Sequence, residues 1–127
     1  MKRFDPVHLF FSSAGRLGRR GYAGACLVIA AFTAGFRGLA PTPLERWTGW
    51  LVYAALLFAA ACVTSKRLHD LGRAGWWSFL PVGAAVAAWP VLDDPADVWW
   101  AAFLTLWVAL LAVNPGQRNA NRFGPPP

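Results

Sequence analysis

The chain has 127 residues, 57% of them hydrophobic and only 14% charged, with a mean hydropathy of +0.39 and eight Trp. Soluble domains carry about 25% charged residues, so the composition excludes disorder and leaves too little polar surface for a soluble monomer of one domain. The 12 Lys and Arg outnumber 6 Asp and Glu, giving net +6 and a pI near 10.4, which fits either nucleic-acid binding or the positive loops that orient membrane proteins.

The positions of the charges decide between these. Lys2 and Arg3 begin like a secretory signal, but Asp5 and Pro6 follow at once, and Val7 to Phe11 is too short for its apolar region and contains His8. Phe4, Leu9, Phe10 and Phe11 are instead expected to lie in the membrane interface as a short anchor. Four weakly charged stretches follow, over residues 22–40, 47–64, 76–92 and 98–113. Their lengths sit near the lower end of the range of about 17–25 residues needed to cross a bilayer. Leu51 to Cys62 and Ala101 to Val113 offer no charged residue on any face, so a soluble bundle would have no polar stripe to show to water. The third stretch contains Pro81 and Pro90, read as helix ends and mild kinks. The expected fold is all-α, a single four-helix transmembrane bundle over residues 1–127.

Lys and Arg counts in the connecting segments set its orientation. Residues 1–21 carry Lys2, Arg3, Arg16, Arg19 and Arg20; residues 65–75 carry Lys66, Arg67 and Arg73; residues 114–127 carry Arg118 and Arg122. Against Asp5 and Asp70 these leave +8 on one side, whereas Arg37 and Arg46 against Glu45, Asp93, Asp94 and Asp97 leave −2 on the other. Both termini are therefore expected in the cytoplasm, and the high pI is an orientation signal rather than evidence for nucleic acid. Trp47, Trp50, Trp76, Trp77, Trp89, Trp99 and Trp100 fall near the ends of the stretches, where indole rings favour the headgroup layer. Trp107 lies deeper and is expected to pack between helices with its N–H bonded to a neighbour. Cys26 and Cys62 are read as small packing residues, with no disulfide framework or zinc spacing. Small residues at four-residue spacing, such as Ala30 with Ala34, Ala31 with Gly35, Ala55 with Ala59 and Gly83 with Ala87, are compatible with close helix approach. No acid, Lys or Arg interrupts the cores of the stretches, which disfavours a secondary transporter.

The distinctive strings lie between the spans: GRLGRRGY at residues 15–22, KRLHDLGRAGWW at 66–77 and NPGQRNANRFGPP at 114–126. Their order and spacing resemble the domain of unknown function 805 family of small bacterial inner-membrane proteins. The first box is matched by Gly15, Arg16 and Arg19, the second by Arg67, Leu68, His69, Asp70, Gly72, Gly75, Trp76 and Trp77, and the tail by Gly116, Asn121, Arg122, Phe123 and Gly124. Gly21, Ala23 and Pro126 depart from the residues usual in the family. The resemblance implies a multi-pass protein of the bacterial inner (plasma) membrane; it implies no reaction.

Two readings of the boxes follow. In the structural one, Lys66 and Arg67 sit at the negative pole of a helix, Gly72 forms a left-handed cap, Asp70 pairs with a nearby Arg, and His69 bonds a free carbonyl. In the functional one, Arg16, Arg19, Arg67, Arg73 and Arg122 gather around Asp70 and hold an anionic lipid headgroup or another phosphate. The function expected is noncatalytic: a membrane protein whose basic inner face binds anionic lipid or a protein partner. A small oligomeric channel or exporter is the alternative. A membrane enzyme using His69 and Asp70 ranks third, since neighbours in sequence diverge on a helix. No cofactor, metal or nucleic acid is expected; the bilayer is the partner, with self-association open.

Overall fold

The computed structural model describes residues 5–39, 42–87 and 97–127, Asp97 by its backbone alone. Helices α1 (Pro6–Phe11), α2 (Arg19–Arg37), α3 (Pro43–Asp70), α4 (Phe79–Ala87) and α5 (Asp97–Val113) follow one another, with a 3₁₀ turn, Gly75–Ser78, leading into α4. Local chemistry sets the starts. Asp5 accepts the backbone N–H groups of Val7 and His8 at 3.0 and 3.2 Å, and Pro6 opens α1. Thr42 caps α3 in the same way through the Glu45 N–H, with Pro43 in the first turn. Leu9 and Phe10 of α1 pack against the core while Val7 and Phe11 stay exposed; Phe4 lies outside the described residues.

Three of the expected stretches differ from the helices found. α2 begins before residue 22 and ends at Arg37, followed by Gly38 at its C-cap. The stretch expected at 47–64 is the middle of a 28-residue helix. It runs on through Lys66, Arg67 and Asp70, so residues 65–70 of the connecting segment extend α3 up to the cap expected at Gly72. The helix continues because these polar side chains find partners inside the protein and because the first residue suited to end it is Gly72. The third stretch opens as a 3₁₀ turn, with Pro81 buried near the start of α4; Trp89 and Pro90 lie outside the described residues. α5 matches the fourth.

The packing inverts that of a soluble domain. Tyr22, Ala25, Val63, Leu68 and Leu111 form a small buried cluster where the start of α2 meets the ends of α3 and α5. Beside it, Thr64, Ser65, Lys66, Arg67, Asp70 and Ser78 are buried, with Arg67 at 0% exposure. Farther along the helices apolar side chains face outward: Leu27 is 71%, Trp47 79% and Trp99 78% exposed. Exposed apolar surface on this scale marks contact with something other than water. The hydroxyls of Thr33 and Thr105 turn back onto the carbonyls of Ile29 and Ala101, both at 2.8 Å, so neither presents an unpaired polar group outward. Ala30, Ala31, Ala34, Gly35 and Ala55 are exposed, so their spacing brings no helices together within this chain; Ala59 alone of the α2 and α3 pairs is buried. Among the described residues, α3 is the one helix both long and apolar enough to cross a membrane, with a best-window mean hydropathy of 1.6, while Val98–Val113 is apolar but shorter. The described fold is all-helical, apart from an isolated bridge between Asn121 and Gly124.

Candidate functional site

The site is built on the last turns of α3. Residues 63, 66, 67 and 70 follow the three- and four-residue spacing of one helical face, and that face meets the segment before α2 and the tail after α5. The helix ends in a Schellman motif: Gly72, at φ +74°, donates its N–H to the His69 carbonyl at 3.0 Å, and Arg73 donates to Leu68 at 2.8 Å. A side chain at Gly72 would be strained by that φ and would also strike the Gln117 amide.

Asp70 is the centre of a clasp among three segments distant in sequence. Its Oδ1 accepts from Arg16 Nη2 at 2.8 Å and Nε at 3.1 Å, and its Oδ2 accepts from Arg67 Nη1. The three side chains are 3%, 1% and 0% exposed. Each guanidinium then uses its remaining donors on backbone carbonyls. Arg67 reaches Leu111 at 2.8 Å, Leu17 at 3.2 Å and Asn114; Arg16 reaches Asn119 at 2.8 Å, Gly124 at 3.2 Å and Gln117. Leu111 lies in the last turn of α5, whose final carbonyls have no partner within the helix, so Arg67 caps a helix other than its own. Lys66 does the same for α1, donating to the carbonyls of His8 and Leu9. Burial pushes both cations below their ordinary pKa, while the Asp70 charge opposes the shift at Arg67.

The backbone closes the same joint. Gln117 N–H donates to the Asp70 carbonyl at 2.8 Å and Leu17 N–H to the Lys66 carbonyl at 3.2 Å. A Cβ at Gly116 would overlap the Asp70 carboxylate, and one at Gly75 would overlap Ser65 Oγ and crowd the His69 ring, so both glycines are demanded by close approach. His69 points away from Asp70. Its Nδ1 lies 3.1 Å from the Gly15 carbonyl, and its ring stacks on Phe123 with centroids 3.9 Å apart and planes 8° apart. Asn121 ties the tail down by donating to the His69 carbonyl at 2.9 Å and the Gln117 side chain at 2.8 Å.

The model of the family described as "Protein of unknown function (DUF805)" matches residues 10–125, so it takes in all three segments of the clasp. The chain belongs to this family. It is similar to the "Uncharacterized protein YiiR" of Escherichia coli strain K12, 32% identical over 126 residues, covering 90% of this chain and 84% of the relative. The YiiR protein of Escherichia coli O157:H7 matches to the same extent. No solved structure matches.

The DUF805 boxes therefore divide by position. Arg16, Arg67, Asp70 and Gly116 meet in the clasp, with Gly15, His69, Gly72, Gly75, Asn121, Phe123 and Gly124 around it. Arg19, Arg73 and Arg122 do not reach Asp70. Arg19 and Arg73 are exposed, and Arg122 stacks over Phe123, 4.7 Å from the ring centroid. Trp76 and Trp77 stack on each other at 4.3 Å and remain partly exposed. Lys66 and Gln117, outside the family pattern read from sequence, complete the joint. The acceptors they and the arginines use are backbone carbonyls, which carry no residue-type signal. Trp107 packs near Phe103, at 5.8 Å between centroids, but its buried indole N–H has no acceptor among the described residues, contrary to the expected bond. The helix that carries it presents mostly apolar side chains to its neighbours.

Proposed function

We propose that this DUF805 protein is a noncatalytic, four-span protein of the bacterial inner membrane with both termini in the cytoplasm. Its clasp holds the cytoplasmic ends of the helices together, and the exposed arginines around the clasp engage anionic lipid headgroups. The observation that carries the reading is the inversion described above: Lys66, Arg67 and Asp70 are at most 3% exposed while Leu27, Trp47 and Trp99 exceed 70%. A chain that buries charges where its helix ends meet and exposes leucines and indoles farther along the helices is arranged for lipid. The lipid assignment is supported by Arg20, Arg73 and Arg118, whose exposed side chains have no partner among the described residues. Juxtamembrane cations attract anionic leaflets by about 1 kcal/mol each.

The noncatalytic reading is supported by His69 and Asp70. One is stacked and the other saturated by two arginines, and they point to different partners. The test is retention of phosphatidylglycerol against phosphatidylcholine by the purified full chain in nanodiscs. Preferential retention, weakened when Arg20, Arg73 and Arg118 are all changed to Gln, is the expected result; equal retention of the two lipids overturns it. Reporter fusions to the C-terminus test the topology and are expected to be active only in the cytoplasm.

A further inference from the structure

Between the end of α3, the 3₁₀ turn and α5 lies a groove of about 410 Å³. That is within the size range of ligand pockets, about 300–1,000 Å³. Its aliphatic wall is Leu68, Leu71, Leu110 and Leu111, its aromatic wall Trp77 and Trp107, and its polar members Arg73 and Asn114. Leu68 and Leu111 are buried at its floor, whereas Arg73 and Asn114 are exposed.

Two features of this groove lack a counterpart. Among the described residues the Arg73 side chain has no counter-anion: Asp70 is held by Arg16 and Arg67, and Asp5 is engaged by the backbone of α1. The leucine and tryptophan side chains line an open apolar trough that no described side chain fills. An anionic head with an apolar tail would answer both.

We infer that the groove binds one anionic phospholipid, with its phosphate on Arg73 and one acyl chain running past Leu68, Leu110 and Leu111 toward Trp107. This site rests on the membrane reading above but is narrower than it. It assigns a single bound lipid to Arg73 and distinguishes that cation from Arg20 and Arg118, which act only through the general field of the face.

Native mass spectrometry of the full chain released from nanodiscs containing phosphatidylglycerol and phosphatidylcholine tests the assignment. One retained phosphatidylglycerol is expected. Arg73→Gln is expected to reduce its retention about tenfold, the scale of a lost charged contact, and Arg118→Gln to leave it nearly unchanged. Leu110→Trp adds bulk at a half-exposed wall position and is expected to expel the lipid while the circular dichroism and thermal midpoint stay those of a folded chain. If Arg73→Gln and Arg118→Gln weaken retention equally, the groove assignment fails while the broader lipid reading stands. If no phosphatidylglycerol is preferred by any form, both fail. A protein that co-purifies with the wild type and is lost in Leu110→Trp, with no lipid retained, also overturns the assignment.

Discussion

Neutralising Asp70 is the sharpest perturbation of the clasp. Asp70→Asn keeps the size of the side chain and removes the one negative charge between two guanidinium groups whose side chains are 1% and 0% exposed. A surface ion pair contributes about 0.2–1 kcal/mol, and on that scale the change would barely register. Removing one partner of a buried pair costs about 3–5 kcal/mol, because the surviving charge stays desolvated. Here two charges survive, but each keeps carbonyl acceptors: Leu111, Leu17 and Asn114 for Arg67, and Asn119, Gly124 and Gln117 for Arg16. These hold the expected cost to the lower part of the range, about 3–4 kcal/mol. The folded-to-unfolded ratio then falls by a factor on the order of 10² to 10³. Reversible unfolding by dodecyl sulfate in mixed micelles, followed by Trp fluorescence, measures it. The Arg16→Gln, Asp70→Asn double variant is expected to cost less than the sum of the single changes by more than about 1 kcal/mol, since the pair is in direct contact. A cost for Asp70→Asn below about 1 kcal/mol, or strict additivity with Arg16→Gln, refutes the view that this carboxylate holds the three segments together.

The other expectations use the same unfolding assay. Gly72→Ala places a side chain in the left-handed region and against Gln117, and is expected to cost about 1–2 kcal/mol; a cost near zero would mean that the α3 terminus does not need its glycine. Gly116→Ala pushes a methyl group into the Asp70 carboxylate and is expected to destabilise strongly in the wild type but weakly in an Asp70→Ala background. Equal costs in both backgrounds would show that the contact is not what excludes a side chain there. His69→Phe keeps the stack on Phe123 and loses the contact with the Gly15 carbonyl, so it is expected to cost about 0.5–1.5 kcal/mol, less than His69→Ala.

What was legible in the sequence follows from which interactions leave a residue-type signature. The apolar character of α3 and α5 was legible because a helix without a polar face excludes water regardless of its partners. The left-handed cap at Gly72 and the pairing of Asp70 with arginine were legible because turn chemistry and charge favour them locally. The burial of the last turn of α3 was not, because a charged string reads as an exposed helix end unless its partners are known. Those partners are the carbonyls of Leu17, Leu111 and Asn114, identical in every residue type. The demand for glycine at positions 75 and 116 was hidden for a related reason. It comes from Ser65, His69 and Asp70, which only the folded chain brings near.

The cations gathered at this end of the helices also divide into two physical parts. A cation that acts only on membrane insertion needs to remain hydrated near the headgroups. Arg16, Lys66 and Arg67 are instead turned inward, onto Asp70 and the free carbonyls at the ends of α1 and α5, where their charge fixes segments to one another and is screened from the surface. The outward field at this end therefore comes from the exposed arginines at 19, 20, 73, 118 and 122, with no described acid beside them. Among these, Arg73 alone borders an apolar groove. A diffuse field attracts any anionic surface, whereas a cation at the mouth of an apolar channel selects a molecule with both a charge and a tail. The contrast between Arg73→Gln and Arg118→Gln therefore separates recognition of one lipid from adhesion to many.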